Sequence, residues 1–298
     1  MWINWQRVRI VLWGFLTVFV LSCQPQLVES EQDGVLRIGG STTLLPVIST
    51  AARDFMEKYE AWDKVDPSLP DNEIVIFVSG GGSSFGIRSA INGTVDIGLA
   101  SRDLKDKEKE LLGNHQTFLV GKDAVVIATN VNNPIAVLKD GFTHDELALI
   151  MSGAHDTFQS FDNSLPPEEL VLFVRDSGAG STEIIQNQIM GERQISPDAL
   201  QLSSQGALLK KLESNEHGLA YISSGLALGS DVLKAYSLDG VEPTNENFIS
   251  GQYSLVRPLL MLVKGEPSVM QLHFIDYVLN EGQKIVESNN YVPVIAVE

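Results

Sequence analysis

The feature that most limits how this chain can fold is a unit that occurs three times: a short apolar run, a turn of glycine and hydroxyl residues, then a helical pattern. It is plainest at Arg175 to Thr182, RDSGAGST, which follows the apolar LVLFV of Leu170 to Val174 and precedes a helical pattern starting near Glu183. It recurs at GGSTTLLP, Gly39 to Pro46, after VLRI, and at SGGGSSFG, Ser79 to Gly86, after EIVIFV. Strand, turn and helix in this order predict an open α/β sheet. In such sheets the turns lie at the carboxyl ends of parallel strands, where ligands bind.

Each turn has the makings of an anion site. Glycines such as Gly178 and Gly180 let the backbone pass close to a ligand, and the first turn of a helix presents N–H groups without intrahelical partners. Arg175 adds a positive charge whose planar fork suits tetrahedral oxyanions and carboxylates. Ser177, Ser181 and Thr182 add hydroxyls. Taken alone, the stretch is equally compatible with a capped turn whose arginine pairs with a surface carboxylate. Three such turns in one chain point to one shared anion pocket, with Arg175 expected as the only cationic side chain on the ligand.

The 298 residues suffice for two ordinary domains with substantial cores. A net charge of −17 argues against a nucleic-acid partner, which would call for clustered Lys and Arg. It does not exclude a small anion held by local dipoles and one arginine. At the N-terminus, Arg7 and Arg9 precede an apolar run from Ile10 to Leu21, too short for the ~20 residues of a membrane span, and the segment reads as a signal peptide over residues 1–22. Cys23, the only cysteine, falls where VLSC resembles a bacterial lipobox, so it is expected to become the lipidated first residue of the mature chain. Residues 23–34 then read as a tether, and no disulfide is possible within the mature chain.

Along the rest of the chain, apolar spacing predicts an amphipathic helix over Leu44 to Tyr59, with Pro46 in its first turn. Strands are expected at Glu73 to Val78, Val95 to Ala100, Ala124 to Thr129, Leu170 to Val174 and Gly218 to Ser223. Helices are expected at Gly86 to Asn92, Lys105 to Leu112, His144 to Met151 and Ala207 to Ser214, the last preceded by Ser203 to Gly206. An apolar run, Leu259 to Val263, leads to one long final helix, Pro267 to Val286.

Other chemistries fit less well. Gly82, Ser84 and Gly86 spell the G-x-S-x-G of a hydrolase nucleophile elbow, but neither His217 in a turn nor His273 on the final helix sits where a charge relay needs it. The five histidines are scattered and there is no cysteine pair, so no metal is expected. No phosphate loop of nucleotide hydrolases occurs, and no cofactor is expected.

The segments GGSTTLLP, SGGGSSFG, INGTVDIGLASRDL, RDSGAGST and ALLKKLESNEHGLAYIS, in this order, resemble the periplasmic phosphate-binding proteins of ABC transporters. The resemblance implies an α/β, two-lobed type II periplasmic binding protein fold with two crossover strands. Lobe I would comprise residues 35–130 and 258–298, lobe II residues 131–257, with crossings near Thr129 to Pro134 and Tyr253 to Leu262. It further implies a monomer, lipid-anchored outside the inner membrane, that binds inorganic phosphate between the lobes and delivers it to an ABC permease without acting as an enzyme. Carried over residue by residue, the ligands would be Thr42, Thr43, Ser83, Ser101, Arg175, Gly180 and Ser181. Two positions depart from the pattern. Ala179 stands where many members have a serine, and the chain reads A-S-R, ending at Arg102, where members with A-S-D place a carboxylate on the ligand's proton. Sulfate, molybdate or tungstate is therefore the alternative ligand class, and a hydrolase using Ser84 the alternative outside binding proteins.

Overall fold

The computed structural model describes residues 34–160 and 162–295, so the leader, Cys23 and the tether up to residue 33 lie outside the described residues. The first unit runs β1 (Val35–Gly40), α1 (Leu45–Tyr59), α2 (Trp62–Val65), β2 (Val75–Gly80), α3 (Ser83–Ile91), β3 (Ile97–Ala100) and α4 (Asp106–Leu112). The chain continues through β4 (His115–Asn130), β5 (Gly141–Phe142), α5 (His144–Met151), β6 (Val171–Arg175), α6 (Gly180–Ile185), β7 (Leu200–Leu202), α7 (Gln205–Glu213), β8 (Gly218–Ser223), α8 (Ser224–Leu228), β9 (Leu233–Leu238) and α9 (Asn245–Ser250). It closes with β10 (Val256–Lys264), α10 (Val269–Leu279), α11 (Gln283–Ser288) and β11 (Val292–Pro293).

The strands lie in the order β2-β1-β3-β10-β4-β8-β6-β7, with β9 and β11 also paired to β4 and β5 paired to β9. Around β1 the sheet is parallel, Ile38 facing Val78 on one side and Ile97 on the other. Around β6 it is parallel again, to β7 and β8. Between these two parallel sets run β10 and β4, antiparallel to each other from Val256↔Ala124 to Lys264↔His115.

Two large buried clusters sit on the two ends of this sheet. In the first, α1 turns Val47, Ile48, Ala51 and Phe55 inward at helical spacing against Leu36 and Ile38 of β1, Met261 of β10 and Phe274 of α10. Phe55 meets Phe274 and Tyr277 edge-on, with centroids 5.5 and 5.3 Å apart. The second cluster gathers Val125 to Ala128 of β4, Phe173 of β6, Leu208 and Leu212 of α7, Tyr221 of β8 and Tyr236 of β9. A smaller group, including Ile87, Ala90, Ala100 and Leu262, lies under α3.

β4 is far longer than the expected Ala124 to Thr129, because its first half, HQTFLVGK, is mostly polar and carries an apolar run of only three residues, Phe118 to Val120, with Leu119 exposed. Within this one strand the chain leaves the first cluster after Val120 and joins the second at Ala124, upstream of the crossing expected at Thr129 to Pro134. The return passes from Leu255 in the second cluster to Leu259 in the first, and Val125 N–H donates to Leu255 O at 2.9 Å where the two segments lie side by side. The single final helix is also corrected. It breaks into α10 and α11 at Asn280 to Gly282, where a Cβ on Gly282 would stand 2.8 Å from the Val278 backbone. Gln283 bonds the carbonyls of Val120 and Val278 at the break. Among the described residues, no helix is long and apolar enough to cross a membrane.

Candidate anion-binding site

The three turns foreseen from the sequence converge on one point, and a fourth joins them. The first two are tied at their bases, where Gly40 O accepts the N–H groups of Gly81 and Gly82 at 2.9 and 3.0 Å. Gly40 has φ +143°, and a Cβ there would meet Leu99 O at 2.1 Å, so only glycine can end β1 against β3 in this way. Beyond it, Ser41 Oγ accepts from the N–H groups of Thr43 and Leu44 and shapes the entry to α1. Ser83, the first residue of α3, accepts from Ser101 N–H at 2.9 Å, which fixes the end of β3 on the second turn.

The third turn is braced by Tyr221. Its hydroxyl accepts from Arg175 N–H at 3.1 Å and lies 2.9 Å from Thr182 Oγ1, while burial pushes its acidity below that of a free phenol. The Arg175 guanidinium is buried and bonded on several sides. Nε donates to Leu202 O and Nη2 to Ser203 O and Asp176, which leaves Nη1 aimed across the cleft at Thr42 Oγ1, 2.9 Å away. The pairing with half-exposed Asp176 is therefore real, but it does not draw the arginine to the surface. The fourth turn is Ser203 to Gly206, noted in the sequence only as a helix precursor. Ser204 caps α7, and Gln205 points N–H at Thr42 Oγ1 and Nε2 at Ser181 Oγ, both at 3.4 Å.

Together these turns close on one narrow polar gap, packed in this conformation too tightly for the organic ligands that fill ordinary pockets. All seven of the proposed ligand residues, Thr42, Thr43, Ser83, Ser101, Arg175, Gly180 and Ser181, line it. So do Ser41, Gly82 and Ala179 of the expected turns, and Gln205 and Arg257, which sequence reasoning did not place there. Arg257 brings a second cation to the lining, beside Arg175, the one cation expected on the ligand. Fully buried at the head of β10, it donates to Asp123 through Nε and Nη2 at 3.1 and 2.7 Å, to Thr43 Oγ1 at 3.0 Å and to Ser101 Oγ at 3.3 Å. An arginine opening the apolar VRPLLMLV inside an expected crossing was the signal available for it.

The electrostatics suit an anion. Burial lowers the pKa of Arg175 below its ordinary value, Asp176 pulls it back up, and the positive charge of Arg257 nearby lowers it further. Two guanidinium groups thus face one void, and negative charge placed between them would relieve their repulsion. None of the side chains lining the void is a carboxylate.

Two other candidates fall outside. Ser84 does not line the void: its N–H donates to Gly178 O and its Oγ accepts from Arg102 Nη2 at 3.3 Å. Arg102, the residue after Ser101, turns away from the void to Glu108 and, across the cleft, to Glu183 of α6 at 3.0 Å, where Lys105 also pairs at 2.9 Å.

The chain belongs to the PBP superfamily, whose domain matches residues 27–281. Individual relatives carry more specific names. The phosphate-binding protein PstS of Borreliella burgdorferi is 26% identical over 96% of this chain and 98% of its own length, and that of Bacillus subtilis is 27% identical over 89% and 83%. Among solved structures, a protein from Clostridium perfringens described as a phosphate ABC transporter substrate-binding protein with bound phosphate superposes with a TM-score of 0.74. It is 28% identical, and the match covers 88% of this chain and all of that one.

Proposed function

We propose that this chain is an extracytoplasmic solute-binding protein that holds inorganic phosphate in the void between its two halves and delivers it to an ABC permease. The observation that carries the reading is the convergence of Arg175, Arg257 and the hydroxyls of four turns on one narrow gap without a carboxylate in its lining. The names of the relatives support it, because phosphate-binding proteins match this chain over nearly all its length. Lobe II comprises residues from about Ala124 to Leu255, and lobe I residues 35 to about 120 together with those from about Leu259 onward, so that the first boundary is drawn upstream of the one expected from the sequence. The protein works as a monomer and makes and breaks no bond. Cys23, outside the described residues, carries the lipid that holds it at the outer face of the membrane, since it follows a basic and apolar leader.

Calorimetry of the purified protein with phosphate tests the reading directly, and absence of phosphate binding in a folded sample would reject it. Mass spectrometry of the mature N-terminus tests the anchor, with Cys23→Ser expected to release the protein from membranes. An active-site serine probe should leave the protein unlabelled; labelling lost in Ser84→Ala would restore the hydrolase alternative.

A further inference from the structure

Beside the two crossings, residues 289–293 bridge the halves again. Tyr291 belongs to the first buried cluster and its neighbour Val292 to the second, the same change of cluster that marks each crossing. β11 pairs with β4 at Gly121 and Lys122, next to Asp123, and a Cβ on Gly121 would stand 2.8 Å from Val292 O, so the segment lies flush on the crossing strand. It also rests on α8 of the second half. Asn290, in the left-handed region at φ +58°, donates through Nδ2 to Gly225 O at 3.2 Å. A Cβ on Gly225 would stand 2.3 Å from Asn289 O, and one on Gly229 would stand 2.9 Å from Asn290 Nδ2.

Tyr291 carries this bridge to the anion site. The residue is buried, and its hydroxyl donates to Thr43 O at 3.1 Å and lies 3.4 Å from Ser223 Oγ. Thr43 lines the site from the first half, and Ser223 N–H donates to Oε1 of Gln205, which lines it from the second. One phenol thus stands behind site residues of both halves. Thr43 is held at every polar atom: its N–H donates to Ser41 Oγ, its Oγ1 accepts from Arg257 and its carbonyl accepts from Tyr291. We propose that residues 289–293 are a strap between the halves and that Tyr291 is a positioning residue for phosphate, which fixes the shape of the first turn and ties it to the seating of α8. The inference rests on the phosphate reading above and adds a residue outside the lining of the site. A turn held in shape before the anion arrives has less freedom to lose on binding, and a buried carbonyl deprived of its donor is costly.

Tyr291→Phe keeps the ring and removes only the hydroxyl. Calorimetry should show this variant binding phosphate about five-fold to thirty-fold more weakly than wild type. A hydroxyl that served the fold alone would lower the melting temperature and leave the dissociation constant of the folded protein unchanged, and that result would overturn the proposal. Gly225→Ala tests the strap from the side of α8, because its Cβ would stand 2.3 Å from Asn289 O and 2.5 Å from Tyr291 Cε1 and must push the segment away. Phosphate affinity of the folded variant should fall by a similar factor. In the double variant the loss should stay well short of the product of the two single losses, since both act through one hydroxyl. Fully multiplicative losses, or none in Gly225→Ala, would reject the strap. Absence of phosphate binding in the wild-type protein would bring down the reading of the site and the inference with it.

Discussion

Arg175 and Arg257 present the same group to the same void but are held differently, and their substitutions should fail differently. Arg175 leans on backbone carbonyls and on a half-exposed Asp176, which can rehydrate if the arginine is lost. Arg175→Ala is therefore expected to weaken phosphate binding by about ten-fold to a few hundred-fold with little change in thermal stability, since a charge-assisted bond contributes about 1.5–3 kcal/mol. Arg175→Lys should recover only part, because it lacks the fork. Removing one hydroxyl, as in Thr42→Ala, should cost less. Arg257 is paired with an Asp123 that has no exposure at all. Arg257→Ala strands that carboxylate in the interior, at a cost of about 3–5 kcal/mol, and the melting temperature should fall by roughly 10 °C. Melting curves beside phosphate titrations separate the two cases. At this scale the sequence was readable where glycine and hydroxyl residues cluster after a strand, which marked the three turns, and the resemblance singled out Thr42, Ser83 and Ser181 within them. Arg257 did not, because a lone charge beside an apolar run gives no hint of which carboxylate, if any, it meets; Asp123 lies 134 residues away. Gln205 was missed for a related reason: its turn has hydroxyls but its working atoms are an amide and a backbone N–H.

Among the elements, the strand-turn-helix units were legible because two periodicities meet at a glycine, and α1, α5 and β8 fall where the apolar spacing put them. β4 and the break between α10 and α11 were not. Half of β4 owes its conformation to pairing with β10 rather than to its own pattern, and the apolar spacing of the last helices runs on across Gly282 without marking the kink. The N-terminus of α6 carries two contacts that bear on closure. Gly180 packs so near the opposite turn that a Cβ would lie 2.6 Å from Ser101 O and 2.8 Å from Ser83 Oγ. Gly180→Ala should therefore reduce phosphate affinity about a hundred-fold or more, while the melting temperature without ligand stays within about 2 °C of wild type. A large drop in that temperature would show instead that the glycine serves its own half. One turn further on, Glu183 receives both Arg102 and Lys105 across the cleft. In Glu183→Gln, phosphate should leave a few-fold to about thirty-fold faster in a stopped-flow chase, with a smaller difference at high salt.

For the molecule as a whole, binding and stability should be linked. A ligand that occupies only the closed, folded form stabilises it by about 2.7 kcal/mol at a hundred times its dissociation constant. Phosphate at that level should raise the melting temperature by roughly 5–10 °C, and the same concentration should do much less for Arg175→Ala. The placement of the two arginines adds a consequence about movement. Asp123 lies on β4 and Arg257 on β10, both where the chain passes between the buried clusters, so this pair sits at the fulcrum if one half swings against the other. Points on a pivot travel least. Arg257, with Thr43 and Ser101 bonded to it, would then meet an incoming anion at the same address whether the jaws stand apart or together, and Arg175, out on the opposite jaw, would be the charge that arrives last and departs first.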